Sequence, residues 1–168
     1  LEDGVLTADE LEALPGVPSH ERLADGPVVV IECAQEIPCN PCELACRHGA
    51  IHIGECITDL PDLNEQACTG CGLCIPACPG QAVFVVDLTY LDDEGTVQLP
   101  YEFWPLPERG ELVDGLSRAG EPICEGTVVR VVRPQTYDRT AVITVAVPKQ
   151  CAMEVRNIAL RRADDHAE

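Results

Sequence analysis

Cys68-Thr-Gly-Cys71-Gly-Leu-Cys74-Ile-Pro-Ala-Cys78-Pro79 is the stretch on which the reading of this chain turns. Three thiols spaced by two residues wrap one inorganic centre. A fourth, three residues on and followed by proline, is carried away toward another. This C-x2-C-x2-C-x3-C-P spacing holds four-iron, four-sulfur clusters. Gly70 and Gly72 let backbone N–H groups approach the sulfurs. A structural zinc site fits less well, because zinc sites use pairs of pairs rather than a four-thiol run ending in proline.

Working outward, the run has a second copy. Shifting the chain by 32 residues places Cys39, Cys42 and Cys46 on Cys71, Cys74 and Cys78. The match continues with Ala50 on Ala82, Ile51 on Val83, Ile53 on Val85 and Glu55 on Asp87, so each run leads into a short alternating strand. Two similar halves predict a pseudo-twofold unit. Cys68 itself falls on Glu36, and Cys33, three residues upstream, can substitute if the chain makes a longer loop there.

Eleven cysteines in 168 residues imply either a disulfide scaffold in an oxidising compartment or thiolates held for metal in a reducing one. Nine of them lie between Cys33 and Cys78 in tight runs, which favours metal. Acidic residues outnumber basic ones 29 to 11, and the formal charge of −18 argues against nucleic acid and anionic membrane surfaces as partners. No run of about 18 apolar residues is present to span a membrane. Leu1 to Asp9 lacks the basic start and apolar stretch of a signal peptide, so the cytoplasm is the expected location.

Composition divides the chain into three segments. Residues 1–27 are acidic and polar, with a Thr7-Ala-Asp-Glu10 capping box opening a short helix through Leu14, then either an arm laid over a neighbour or a partly ordered terminus. Residues 28–88 hold the cysteines, entered by a strand over Val28–Ile31. Residues 89–168 read as strand and turn. Val128–Val132 and Ala141–Val147 predict an antiparallel hairpin, Pro148–Val155 a closing helix, and Arg161–Glu168 a frayed charged tail. The expected fold class is α+β.

The cysteine segment resembles the bacterial dicluster ferredoxins, in which each half supplies three ligands to its own cluster and one to the other's. That resemblance implies two [4Fe-4S] clusters in a 2[4Fe-4S] ferredoxin-like module, with an N-terminal arm and a small C-terminal antiparallel β domain. It implies Cys68, Cys71, Cys74 and Cys46 around one cluster, and Cys39, Cys42, Cys78 and Cys33 around the other. For the last position Cys56 is an alternative, as is a three-iron cluster with an empty corner.

Ile31-Glu-Cys-Ala-Gln-Glu-Ile-Pro-Cys-Asn-Pro-Cys-Glu43, with Ile57-Thr-Asp-Leu-Pro61, is more distinctive. It resembles the small iron-sulfur subunit of flavin-dependent amine and imino-acid dehydrogenase complexes of the proline, hydroxyproline and sarcosine type. Pro100-Tyr-Glu-Phe-Trp-Pro-Leu-Pro107 and Val145–Val155 fit the same family. The resemblance implies a hetero-oligomer in which FAD or FMN on partner subunits oxidises the substrate, while this chain relays electrons toward an external acceptor.

Several residues carry smaller expectations. Arg47 stands where the second half has Pro79 and is either a solvated surface arginine or, with His48 and His52 nearby, a charge that raises the potential of the cluster that Cys46 ligates. Tyr101, Phe103 and Trp104 are half of all aromatics and form either a docking loop or the plug of a small β domain. Cys56, Cys124 and Cys151 read as small buried hydrophobes. No nucleotide loop or nucleophile elbow is present. The function expected is electron transfer. The alternative is a free-standing iron-sulfur redox sensor or regulatory protein.

Overall fold

The computed structural model describes residues 4–161. In chain order its elements are α1 (Ala8–Glu12), α2 (His20–Leu23), β1 (Val28–Ile31), α3 (Pro41–Ala45), β2 (Ile51–His52), β3 (Asp62–Leu63), β4 (Val83–Asp87), β5 (Glu94–Tyr101), β6 (Leu112–Leu116), β7 (Pro122–Val132), β8 (Ala141–Pro148) and β9 (Asn157–Leu160). The architecture is chiefly strand, with helices of only four or five residues.

Val28-Val-Val-Ile31 contains no polar residue, and all four side chains are buried, so both faces of β1 must be covered. β1 pairs antiparallel with β4, and β2 with β3. The strand following each cysteine run is thus closed by the strand preceding the other run. On β1 and β4, successive side chains alternate between two cores. Val28, Val30, Phe84 and Val86 join one core; Val29, Ile31, Val83 and Val85 join the other, with Cys42, Cys74 and Ile75.

Seven strands form one sheet in the order β1-β4-β5-β8-β7-β6-β9, which runs straight through the 88/89 boundary. The third segment extends the sheet that β1 and β4 begin. β7 and β8 pair antiparallel, as their β-branched composition predicts, with an irregularity between Val128 and Arg130. Val97, Leu99 and Tyr101 on β5, and Ala141, Ile143, Val145 and Val147 on β8, alternate into the first core. Bulk here comes from aliphatic residues, in keeping with the low aromatic content.

β1 and β9 occupy opposite edges of the sheet, yet residues beside them touch. Glu32, just after β1, accepts from Arg156 Nε, just before β9, at 2.7 Å. Arg118, beyond the end of β6, grips the same carboxylate with Nε at 3.0 Å and Nη2 at 2.7 Å. The sheet therefore curls until its edges meet. All three side chains are nearly excluded from solvent, at 8%, 10% and 5% exposure for Glu32, Arg118 and Arg156. Among the described residues Arg156 Nη2 has no hydrogen-bond partner, but its guanidinium lies 4.7 Å from the Phe84 ring centre, a cation–π contact that offsets part of the burial cost.

The N-terminal segment lies over the chain's own cysteine segment. Ile31 donates to the Gly16 carbonyl at 3.0 Å and Leu63 to that of Pro15 at 3.1 Å. Gly16 is required there, since a Cβ would stand 2.7 Å from Ile31 Cβ. The Thr7 and Glu10 capping box forms, but α1 ends at Glu12 rather than Leu14. Pro148–Val155 is not a closing helix: a 3-10 turn spans Lys149–Cys151 and turns follow, and the Arg156 N–H goes to the Leu116 carbonyl at 2.8 Å instead of continuing a helical ladder. Of the predicted charged tail, residues 162–168 lie outside the described residues.

Arg22 ties the arm down. Its guanidinium donates to the carbonyls of Gly26, Pro27, Glu65 and Cys68 at 2.9–3.1 Å. Arg22→Ala is expected to cost at least about 1.5–3 kcal/mol, the range for one charge-assisted bond. A lowered urea midpoint at unchanged slope checks this, and an unchanged midpoint would contradict it.

Candidate metal centre

The cysteine runs fold around two cavities. One is lined by Cys46, Cys68, Cys71 and Cys74, with Val29, Ile51 and Val85 among its apolar walls. The second is lined by Cys33, Cys39, Cys42 and Cys78, with Pro61, Val83 and Ile53 among its walls. Adding 32 to Val29, Ile51 and Ile53 gives Pro61, Val83 and Val85, so the shift seen in the cysteines also interchanges the apolar walls. The second thiol set contains Cys33 and not Cys56. Cys56 is exposed, held in a turn where its N–H donates to Asp59 Oδ2 at 2.9 Å, and so is not the buried hydrophobe expected. Cys124 and Cys151 are half-buried against the larger core.

Backbone amides address the sulfurs with the same symmetry. Ala50 N–H donates to Cys46 Sγ at 3.2 Å and Ala82 N–H to Cys78 Sγ at 3.4 Å, two bonds related by the same shift. Cys68 Sγ accepts from Val29 at 3.4 Å and from Gly70 at 3.5 Å. At Cys33 the backbone amide of Gln35, also two residues on, favours the thiolate, although burial outweighs it. N–H groups aimed at sulfur favour negative charge there. Gly70, at φ +65°, is needed for this approach: a Cβ would meet Pro27 Cβ at 2.6 Å.

Burial opposes ionisation of these thiols. It pushes Cys42 up to about 11, helped by Cys78 and Cys39, and Cys74 up to about 12, helped by Cys68, Cys71 and Cys46. Cys33 is also raised, first by burial. Each is crowded by thiols of its own set, so ionisation is favourable only with a positive metal centre between them. Among the described residues no group of three or more His, Cys, Asp or Glu could hold a single metal ion. Four thiols line each cavity, a donor set that suits a cubane of four irons and four sulfides.

The surroundings correct other expectations. His48 lines the first cavity, whereas Arg47 is exposed and lines an outer groove. His52 lies 3.6 Å from Glu43 Oε1, which counters any charge it carries. Phe103 and Trp104 are exposed, so this loop does not plug the β core; Tyr101 is the ring that enters it. The Glu32 clamp is a site feature that sequence reasoning missed. Glu32 adjoins Cys33, yet its partners lie 86 and 124 residues away. An acid beside a lone displaced cysteine was the only signal of it in the sequence.

Comparison with known proteins gives a consistent result. A family model described as a 4Fe-4S binding domain matches residues 61–84. The chain carries a ferredoxin-type iron-sulfur domain. One subunit of an ion-translocating oxidoreductase complex from Methanosarcina acetivorans is 38% identical over 66 residues, which is 39% of this chain and 23% of that protein. The ferredoxin-type protein NapF of Escherichia coli is 31% identical over 71 residues, covering 39% of this chain and 43% of NapF. An uncharacterized ferredoxin of Methanocaldococcus jannaschii is 39% identical over 66 residues, 39% of this chain and 37% of that protein. This chain therefore spans less than half the length of these relatives. No solved structure matches it. Among the described residues no helix is long and apolar enough to cross a membrane.

If Cys33 is a ligand, anaerobically prepared Cys33→Ser should lose between about one iron in eight and half of its iron, while Cys56→Ser keeps the wild-type content. Iron analysis with electron paramagnetic resonance checks this, and the reverse pattern would reassign the ligand.

Proposed function

We propose that this chain is the electron-transfer subunit of a flavin-dependent amino- or imino-acid dehydrogenase complex, carrying two [4Fe-4S] clusters. Cys46, Cys68, Cys71 and Cys74 hold one, and Cys33, Cys39, Cys42 and Cys78 the other. The observation that carries this reading is the pair of four-thiol cavities, related by the 32-residue shift and exchanging Cys46 and Cys78 between halves. The iron-sulfur role accords with the ferredoxin-type domain and with relatives of that kind. The oxidoreductase context is supported by one relative being part of such a complex, and the flavin partners by the sequence resemblance around Ile31–Glu43 and Pro100–Pro107.

Each cluster, when bound, supplies one-electron exchange, so a pair of them divides the two-electron output of a flavin. The chain's own residues do the rest. Eight thiolates fix the two centres, and the amides of Val29, Ala50, Gly70 and Ala82 stabilise negative charge on the sulfurs. Ile51, Val83 and Val85 keep water from the inner walls. A reducing compartment such as the cytoplasm keeps the thiols available for assembly.

Purification of the tagged full chain from its native source under argon tests this reading. The expected result is co-elution with FAD or FMN in one complex, and bleaching of the cluster absorbance by proline, hydroxyproline or sarcosine. A flavin-free monomer whose clusters are lost to oxygen, with no response to any of the three, would instead favour the sensor.

A further inference from the structure

Two neighbouring hollows of this acidic molecule are lined by arginine and apolar side chains. Leu44, at 76% exposure, and Trp104, at 75%, are the most exposed large apolar side chains among the described residues, and Phe103 follows at 61%. A groove lined by Leu44, Arg47, Leu73, Pro76, Ala77 and Tyr137 joins α3 to the loop between β7 and β8. The same loop presents Arg133 and Arg139, and the Arg133 guanidinium lies 5.7 Å from the Trp104 ring centre. The β7–β8 loop thus borders two hollows, one shared with the cysteine segment and one lined by Arg133 and Arg139, and Arg133 links the second to Trp104.

Their charge stands out against the whole. The chain has only 11 basic residues against 29 acidic. Arg118, Arg156 and Arg161 are consumed by ion pairs, whereas Arg47, Arg133 and Arg139 make none among the described residues. The two loops carry four carboxylates: Asp138 lines the hollow beside Arg133 and Arg139, Glu102 is engaged by the Thr140 hydroxyl at 2.7 Å, and Glu108 and Glu111 lie at the end of the aromatic loop nearest β6, where Glu111 accepts from the Glu108 N–H at 2.7 Å. The groove also sits close to both cavities. Leu73 lines the groove and the first cavity, and Ala77 adjoins Cys78 of the second.

We infer that this face docks an acidic, flavin-bearing electron-transfer partner, with Leu44 and Trp104 entering apolar recesses and Arg47, Arg133 and Arg139 meeting the carboxylates around them. The inference rests on the electron-transfer reading above and adds the partner's surface chemistry. A rim of charges on an aromatic anchor is the pattern of a specific interface. Three arginines placed here without ion pairs orient a negatively charged partner that the rest of the surface repels.

The test measures how salt changes the rate. Photoreduced, cluster-loaded full chain is mixed with an acidic flavodoxin in its oxidised form. One electron leaves the reduced chain, FMN gains it with one proton from solvent, and no other bond changes. Two net-negative bodies should react faster as salt rises, because screening weakens their repulsion. The proposed face predicts the opposite sign for the wild type between about 0.1 and 0.5 M salt, where screening confines charge effects to within about 10 Å. The R133E/R139E variant should then accelerate with salt and react on the order of tenfold more slowly at the low end. Trp104→Ala should slow transfer at every salt concentration, and all variants should reduce a small neutral quinone at the wild-type rate. A wild-type rate that rises with salt, or variants that match it, would overturn the docking face. So would a wild-type dimer that Trp104→Ala dissociates, which assigns the face to a second copy. Failure to pass electrons even to the quinone would instead overturn the electron-transfer reading itself.

Discussion

Two short strands, β1 and β4, are shared between two cores, and the rest of the molecule depends on that sharing. Their odd and even residues face opposite ways, so Val29, Ile31, Val83 and Val85 wall the cysteine cavities while Val28, Val30, Phe84 and Val86 seal the curled sheet. A polar residue at any of these positions would be buried on one side or the other without a partner. Continuous apolar composition over Val28–Ile31 follows from this double burial, and the cysteine segment and the strands after Thr89 cannot be separated without exposing one face.

The Glu32 clamp makes the coupling tighter. One carboxylate holds Arg118 and Arg156 where the two edges of the sheet come together, and its neighbour in the chain is the displaced thiol Cys33. Closing the sheet and presenting Cys33 to its cavity are thus one structural event. Losing either arginine would leave a buried charge short of a partner, which is costlier than never having built the pair. The strands beyond residue 88 can therefore support the second cavity without contributing a thiol to it.

Much of this was legible in the sequence because cysteine spacing and strand alternation are local signals. The 32-residue shift identified the paired halves, and the amides of Ala50 and Ala82 on Cys46 and Cys78 repeat it atom for atom. The β7–β8 pairing followed from two β-branched runs. What was not legible depends on contacts across long separations. The turn in place of a helix after Pro148 goes with the bond from the Arg156 N–H to the distant Leu116 carbonyl, and the exposure of Cys56 with the turn in which its N–H donates to Asp59. The groove beside Arg47 joins residues about 90 apart in the chain, beyond the reach of periodicity.

Iron and acid-labile sulfide per chain, measured on anaerobically purified full-length protein with electron paramagnetic resonance of its reduced form, tests the central claim most directly. Two thiol-ringed cavities predict about eight irons and eight sulfides, with two reduced centres close enough to broaden each other's signals. About four irons, about seven with a three-iron signal in the oxidised protein, or a colourless zinc-containing sample would contradict the two-cluster account.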